Sequence, residues 1–194
     1  MRTEGIAGAV GFSHLFLRRT VQLGDRVIDA TCGRGRDTLF LAELVGDSGK
    51  VWAFDVQEEA LAETASRIRD AGCSSRITLV HAGHESLSEY IQEPVRAVVF
   101  NLGYLPGNSA GIVTLPKTTL SALDQALPLL LPGGVIVLAI YTGHPGGEEE
   151  AAHVEAWARA LAPREFTVWK SRQLNRSDSA PYVLVVGKMP INVE

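Results

Sequence analysis

The chain has 194 residues, 46% of them hydrophobic, and a formal net charge of −4. This composition excludes an intrinsically disordered chain and suits one α/β domain, which we expect to span residues 1–194. The acidic balance argues against a protein that grips nucleic acid over its whole surface, although a local basic patch is compatible with it. The two cysteines lack metal-ligand spacing and no apolar run reaches membrane-spanning length, so we expect a cytoplasmic protein without a metal.

The order of the predicted elements is that of an α/β sheet. An apolar stretch near the start predicts a first helix over residues 8–22 rather than a signal peptide, because His14 and several glycines interrupt it. The predicted strands then cover residues 27–29, 50–55, 77–81, 96–100 and 135–141, and the helices between and after them 39–45, 58–71, 117–130 and 148–161. Two last strands, at 166–169 and 182–186, are joined by a loop too short for a crossover helix and should pair antiparallel. The sequence therefore predicts a Rossmann-like, seven-stranded, mostly parallel sheet with an antiparallel C-terminal strand.

A pair of glycines follows the first predicted strand. Asp29 ends that strand, Gly33 and Gly35 lie in the turn after it, and a run with helical spacing begins a few residues later. Strand, glycine turn and helix in this order are typical of a nucleotide-binding crossover, in which glycine lets the backbone approach a ligand closely. Asp37 or Thr38 is predicted to cap the helix.

The ligand predicted for this turn is S-adenosylmethionine (SAM) rather than a dinucleotide. Thr38 stands where the dinucleotide fingerprint has its third glycine, and Asp29 beside a pyrophosphate would be repelled. The ammonium group of SAM, by contrast, can pair with Asp29. Asp55 ends the next strand 20 residues after Gly35, at the distance expected of an acid that binds ribose hydroxyls. The alternative is an ordinary α/β turn with two surface acids.

A second motif, Asn101-Leu-Gly-Tyr104, ends the fourth predicted strand and resembles the Asn-Pro-Pro-Tyr box of amino-group methyltransferases. An amide oxygen can accept hydrogen bonds from a target amine and aim its lone pair at a methyl group, and an aromatic ring can hold a flat base. Methyl transfer is an in-line displacement, so such positioning supplies much of the catalysis. The alternative is a turn that caps a strand, with Tyr104 as a packing residue.

Other polar residues are predicted near the carboxyl ends of the strands. His84 and Glu85 follow the third strand, where SAM-binding folds commonly contact adenine, although Glu85 equally suits the first turn of a helix. Tyr141 ends the fifth strand, and His144 lies in the glycine loop behind it as a candidate base, phosphate contact or exposed residue. Basic residues near the cofactor site and around the loop before the last strand predict contacts with RNA. The alternative is that these residues are simply solvated surface. They are Arg34, Arg36, Lys170, Arg172 and Arg176, with Asn175 beside the last.

Several stretches together resemble the YtqB-type family of rRNA methylases. They are residues 29–38, 54–57, 83–85, 101–107, 141–147 and 175–181. The resemblance implies a class I SAM-dependent methyltransferase fold and an activity on tRNA, the methylation of the amine of 5-aminomethyl-2-thiouridine at the anticodon wobble position. Two positions depart from the family pattern, because Arg34 replaces an Asn and Arg176 replaces a Gln.

The resemblance also implies roles for individual residues. Asn101 and Tyr104 position the substrate amine, which must be neutral to react, and Asp29 and His144 are the candidates to accept its proton. The residues expected to hold SAM are Asp29, Thr31, Gly33, Gly35, Asp37, Thr38, Asp55, Gln57, His84, Glu85 and Asn101. The residues expected to contact the RNA are Arg34, Arg36, Tyr141, Arg172, Asn175 and Arg176.

Three alternatives to this reading stay open on the sequence alone. The first is a SAM-dependent methyltransferase that acts on an rRNA base or a small-molecule amine. The second is an NAD-binding oxidoreductase, against which the missing third glycine argues. The third is a SAM-binding module without catalysis. An apolar first helix that is exposed would in addition suggest a homodimer.

Overall fold

The computed structural model describes residues 8–103 and 113–190. Its helices are α1 (Gly8–Thr20), α2 (Arg36–Val45), α3 (Glu58–Asp70), α4 (Leu87–Tyr90), α5 (Pro116–Leu129) and α6 (Gly147–Ala160). Its strands are β1 (Arg26–Asp29), β2 (Lys50–Asp55), β3 (Ile77–His81), β4 (Val95–Leu102), β5 (Leu130–Ile140), β6 (Phe166–Ser171) and β7 (Tyr182–Lys188). The predicted strands and helices are therefore present, and the largest differences in their bounds lie at the starts of β5 and α2.

The seven strands form one sheet in the order β3-β2-β1-β4-β5-β7-β6. Strands β1 to β5 pair in parallel, and β7 runs antiparallel to both of its neighbours, β5 and β6. This confirms the predicted mostly parallel sheet with an antiparallel C-terminal strand. The strand order reverses between β1 and β4, and in open α/β sheets ligands bind outside the carboxyl ends of the strands at such a point.

The two faces of the sheet carry separate buried clusters. Within β1, Val27 belongs to the cluster under α1 and α2, whereas Ile28 belongs to the cluster under α5 and α6. Successive side chains of a strand point to opposite faces, so a strand covered on both sides must be apolar throughout. Because helices cover both faces of the sheet, its strands appear in the sequence as the short apolar runs from which they were predicted.

Two boundaries differ from the prediction in ways that affect the site. β4 continues to Leu102, so Asn101 lies inside the strand, opposite Ala139 of β5, rather than in a turn after it. β5 begins at Leu130, because the chain bulges through the Pro132 region before its regular pairing with β4 resumes at Val135. Among the residues described, no helix combines the length and the apolar character that crossing a bilayer requires.

Candidate cofactor and substrate site

A cavity of about 600 Å³ opens at the carboxyl ends of β1, β2 and β4, where the strand order reverses. This volume is within the range of small-molecule and cofactor sites. Most of the predicted site residues line it: Thr31, Gly33, Arg34, Arg36, Asp37, Asp55, Gln57, His84, Glu85, Asn101 and Tyr141. The structure thus brings together residues that the sequence spreads over more than 100 positions.

Asp55 holds the glycine turn against the end of β2. Its Oδ2 accepts a 2.8 Å hydrogen bond from the backbone N–H of Gly33, and its Oδ1 accepts one of 2.9 Å from the N–H of Gln57. An ionised carboxylate has about four acceptor positions, so two remain for the hydroxyl groups of a ligand. This arrangement suits the predicted ribose-binding role of Asp55.

Gly35 shapes the turn but does not line the cavity, which corrects its predicted role as a cofactor contact. Its φ of 75° belongs to the left-handed region, and a Cβ at this position would lie 2.7 Å from the side chain of Thr64 on α3. The Thr64 hydroxyl donates a 2.8 Å hydrogen bond to the carbonyl of Gly33. The second glycine is therefore required by the approach of α3, and Gly33 is the glycine that faces the ligand space.

Asp29 and Thr38 also lie behind the cavity rather than in its wall. Asp29 is fully buried, and it accepts hydrogen bonds from the Thr38 hydroxyl at 2.7 Å and from the backbone N–H of Thr31 at 3.3 Å. Burial, together with the charge of nearby Asp37, raises the pKa of Asp29 to about 7. Asp29 does not line the cavity, so its position does not support the predictions that it meets the SAM ammonium directly and takes the substrate proton. Thr38 likewise holds Asp29 rather than the cofactor.

Asp37 is the carboxylate of this group that borders the cavity. It does not cap α2 as predicted, since the residue before the helix is Gly35 and no side chain caps it. Its Oδ1 instead accepts a 2.8 Å hydrogen bond from Nε2 of His14, and its Oδ2 accepts a 2.5 Å bond from Nδ2 of Asn101. His14 is therefore a residue of the site that was not predicted from the sequence. The feature of the sequence that points to His14 is its position as a polar residue on the same face of α1 as the buried Leu17.

Asn101 is fixed at both its backbone and its side chain. Its backbone N–H donates a 2.7 Å hydrogen bond to the hydroxyl of Thr31, and its amide nitrogen donates to Asp37. Because a carboxylate only accepts, the amide oxygen is the part of the side chain left to accept from a ligand. Tyr104, the other residue of this predicted motif, lies outside the described residues.

A buried acid on α6, also not predicted from the sequence, supports the end of β4. Glu150 is 1% exposed and accepts hydrogen bonds from the hydroxyls of Thr114 and Thr119, each 2.6 Å long. The Thr114 hydroxyl in turn accepts from the backbone N–H of Gly103 at 2.8 Å. The helical periodicity of α6 buries Glu150 but leaves Glu149 exposed. Both lie in the acidic first turn of α6, so the sequence alone does not distinguish the buried acid from the exposed one.

His84 forms part of the cavity wall after β3. Burial lowers its pKa, and within the described part of the chain its Nε2 has no hydrogen-bond partner. A buried neutral ring nitrogen of this kind offers a polar contact to a bound ligand, as predicted for the adenine side of the site. His144, by contrast, does not line the cavity, and its Nδ1 contacts the carbonyl of Pro145 at 3.0 Å. The prediction that His144 accepts the substrate proton is therefore not supported by its position.

The predicted basic surface is partly neutralised by acids. Lys170 pairs with Glu155 at 2.6 Å, and Arg172 pairs with Asp178 at 3.3 Å. Burial would raise the pKa of Glu155, but the hydrogen bonds from Lys170 and Tyr182 hold it below its usual value.

The loop between β6 and β7 nevertheless lies on the cavity side of the sheet. The hydroxyl of Thr142, just after β5, donates a 3.1 Å hydrogen bond to the carbonyl of Ser179 in this loop. Asn175 and Arg176 are exposed in the same loop, and Arg36 is exposed at the cavity itself. Arg36 is therefore an exposed cation at the cavity and Arg176 an exposed cation in the loop next to the end of β5, whereas Arg34 is paired to Glu63 at 3.3 Å.

Comparison with known proteins connects this site to methyltransferases. The family profile described as Putative rRNA methylase matches residues 51–187. A chloroplastic tRNA (mnm(5)s(2)U34)-methyltransferase of Arabidopsis thaliana is 42% identical over 178 residues, which are 87% of this chain and 65% of that protein. The chain thus spans slightly less than two thirds of that relative.

Solved structures agree over nearly the whole chain. The crystal structure of a protein from Clostridium thermocellum described as a putative rRNA-methylase has a TM-score of 0.92 and 40% identity, covering 95% of this chain and 100% of that one. A protein from Streptococcus mutans described as a putative methyltransferase, solved in complex with SAH, has a TM-score of 0.86 and 35% identity with the same coverage.

These relatives are methyltransferases, so the alternative of an NAD-binding oxidoreductase is wrong, and the class I methyltransferase fold predicted from the glycine turn is confirmed. The profile covers more than half of the chain, and it includes Asp55, Asn101 and the buried acid Glu150. This chain belongs to the Putative rRNA methylase family.

Proposed function

We propose that this chain is a single-domain, SAM-dependent N-methyltransferase of tRNA. Its substrate would be the primary amine of 5-aminomethyl-2-thiouridine at the wobble position. The observation that carries the proposal is the side chain of Asn101, whose amide nitrogen is bound to Asp37 and whose oxygen remains to accept a hydrogen bond at the cavity. The substrate named for the Arabidopsis thaliana relative supports the same assignment.

The cavity residues fit SAM by their chemistry. Asp55 keeps acceptor positions for two ribose hydroxyls, and Gly33 leaves the backbone of the turn accessible. His84 offers a buried ring nitrogen at the side of the cavity expected for adenine. When bound, SAM supplies an electrophilic methyl group on sulfur.

The reaction needs a neutral amine directed at that methyl group. A free alkylamine is mostly protonated near neutral pH, so the site must favour the form with a lone pair. The amide oxygen of Asn101 accepts a hydrogen bond from one N–H of the amine and thereby fixes the direction of the lone pair. As the nitrogen–methyl bond forms, the bond from the methyl carbon to sulfur breaks. The proton released when the substrate ammonium becomes the neutral amine passes to water, and the methylated amine leaves as a cation.

The exposed cations near the cavity favour an RNA substrate over a free small amine. Arg36 lies at the cavity, and Arg176 lies in the loop that Thr142 connects to the end of β5. Phosphate groups on either side of a wobble nucleotide would meet such cations. The homodimer considered from the sequence stays a prediction.

The test is nucleoside mass spectrometry on tRNA that carries the unmethylated 5-aminomethyl-2-thiouridine. The purified chain with SAM is expected to convert this nucleoside to its 5-methylaminomethyl form. Asp55→Ala provides a matched protein with impaired cofactor binding. Ribosomal RNA and a simple alkylamine are incubated in parallel, and methylation of either one without methylation of tRNA would overturn the proposed substrate.

A further inference from the structure

We infer that His14 is a positioning residue for methyl transfer, which fixes the orientation of the Asn101 side-chain amide through Asp37. The inference rests on the proposed function in one respect, because it takes Asn101 to be the residue that receives the substrate amine. The three side chains come from three separate elements, α1, α2 and β4. Two hydrogen bonds connect them in a line that ends at the cavity.

His14 is itself held rigidly. Its ring stacks on the ring of Phe40 with 3.7 Å between the centroids and 7° between the planes. Its side chain is 16% exposed, and the Nε2 contact with Asp37 is 2.8 Å long. Phe40 lies one turn after Asp37 on α2, so the helix presents the stacking surface and the carboxylate on one side. The imidazole can therefore donate to Asp37 in only one orientation without losing the stack.

Asp37 transmits this constraint to Asn101. Each carboxylate oxygen of Asp37 accepts one hydrogen bond, from His14 on one side and from the amide nitrogen of Asn101 on the other. Asp37 is only 6% exposed, so few water molecules can substitute for a lost partner. With Asp37 fixed, the amide of Asn101 must place its nitrogen toward the carboxylate, and its oxygen is then directed elsewhere.

Loss of the His14 donor would release one side of the carboxylate. Asp37 could then rotate, and the Asn101 amide could turn over so that its NH₂ group meets the substrate amine. The NH₂ group of Asn101 cannot accept a hydrogen bond from the amine and would donate to its lone pair instead, so that the lone pair would no longer be aimed at the methyl group. A misplacement of about 1 Å costs on the order of a hundredfold in rate, so turnover should fall by about 10–100-fold.

Three variants separate this role from simple packing. His14→Phe keeps an aromatic ring for the stack on Phe40 but removes the donor, whereas His14→Gln restores an N–H donor without the ring. The matched control is His153→Phe on α6, where the native ring is exposed and contacts the carbonyl of Glu149 in its own helix. Single-turnover methylation of the tRNA, the Kd for SAM and the melting temperature are measured on each preparation.

The expected result is a lower kcat per folded molecule for His14→Phe with an almost unchanged Kd for SAM, a lower melting temperature because the buried Asp37 loses a donor, and substantial recovery of kcat in His14→Gln. The control should match the parent. A parental kcat in His14→Phe would overturn the inference. So would an equal loss in His14→Phe and His14→Gln, because the ring rather than the donor would then matter.

A second readout does not depend on methylation at all. The side-chain amide signals of Asn101 in a ¹⁵N–¹H NMR spectrum can be assigned as the pair lost in Asn101→Asp. They should shift in His14→Phe, return toward the parental position in His14→Gln, and stay in place in His153→Phe. An unmoved Asn101 signal in His14→Phe would overturn the inference even if tRNA is methylated. If the parent fails to methylate tRNA, the proposed function falls, while this spectrum still decides the role of His14.

Discussion

Thr114 and Glu150 lie 36 positions apart in the chain, yet the hydroxyl of the first donates a 2.6 Å hydrogen bond to the carboxylate of the second. Gly103, two residues after Asn101, donates its backbone N–H to the same hydroxyl and accepts from the backbone N–H of Thr114 at 2.9 Å. A buried acid on α6 thus holds the end of β4 in place. The end of β4, which faces the substrate, is therefore supported by a residue that lies behind the cavity wall.

We expect Glu150→Ala to destabilise the fold and to reduce turnover per folded molecule. The buried hydroxyl of Thr119, left without its acceptor, costs about 1–3 kcal/mol, and for a chain of this size each kcal/mol lowers the melting temperature by roughly 2–4 °C. Glu149→Ala is the control, since Glu149 is exposed one position earlier in the same helix. Calorimetry and single-turnover assays measure the two effects, and equal melting temperatures for the two variants would contradict the supporting role.

The fold could be predicted from the sequence because its signals are local. Apolar runs mark strands that are buried on both faces, and the glycine turn marks the first crossover. The same reasoning placed Asp55 and Asn101 correctly in the cavity wall. It failed for Asp29 because a sequence shows that an acid ends a strand but not which way its side chain turns, and here Thr38 and Thr31 draw it inward.

The parts of the site that the sequence did not predict depend on contacts between distant elements. His14 meets Asp37 across 23 positions, and Thr119 meets Glu150 across 31. Neither pair forms a spacing motif, because their geometry depends on how α1, α5 and α6 pack on the finished sheet. The ion pair between Lys170 and Glu155 of α6 was hidden for the same reason, whereas Arg172 pairs with Asp178 only 6 positions further along the chain.

Asp55→Ala should weaken SAM binding by about 1.5–3 kcal/mol, the usual cost of losing hydrogen bonds to a charged group. Part of this loss would come from the glycine turn, because the variant also removes the acceptor for the N–H of Gly33. Isothermal titration calorimetry with SAM measures the change. Glu59→Ala, an exposed acid on α3, controls for the removal of a charge nearby. An unchanged Kd with a normal melting curve would contradict the assignment of Asp55 to the cofactor.

Asn101→Ala should reduce single-turnover methylation by on the order of a hundredfold while the Kd for SAM stays close to that of the parent. The amide is proposed to contact the substrate nitrogen and not the cofactor. If Asn101 serves only the structure, the variant should instead melt earlier and keep its activity per folded molecule. Melting temperature, SAM binding and methylation measured on one preparation distinguish the two outcomes. Early melting with unchanged activity per folded molecule would contradict the amine-positioning role of Asn101.

Asp29→Asn should change the pH dependence of stability rather than the chemistry. Burial and the charge of Asp37 raise the pKa of Asp29 to about 7, so the folded chain binds this proton more tightly than the unfolded chain does. The stability that this proton contributes is present at low pH and is lost as the pH rises through about 7.

An amide at this position cannot ionise, so it avoids that loss. The melting temperature of Asp29→Asn relative to the parent should therefore increase between about pH 5 and about pH 8. Asp70→Asn, an exposed acid at the end of α3, should show no such trend. A constant difference between Asp29→Asn and the parent over this range would show that Asp29 does not titrate in the folded chain as proposed.

The last prediction concerns the exposed cations near the cavity. Within residues 8–103 and 113–190, Arg36 and Arg176 form no ion pair, whereas Lys170 and Arg172 are each paired with an acid. A cation that neutralises a phosphate releases a counterion, so log K for RNA falls with log salt in proportion to the number of phosphates contacted. Arg36→Ala and Arg176→Ala should each weaken tRNA binding and flatten this slope by about 0.7–0.9.

Lys170→Ala and Arg172→Ala should have smaller effects, because removing them also frees an acid that was neutralised. Arg164→Ala is the control for net charge, since Arg164 is exposed just before β6, at the edge of the sheet opposite the cavity. Fluorescence anisotropy with labelled tRNA at several salt concentrations measures all five slopes. If the slope of Arg36→Ala and of Arg176→Ala equals that of Arg164→Ala, the RNA does not bind at the cavity edge, and the two arginines are then solvated surface as the sequence also allowed.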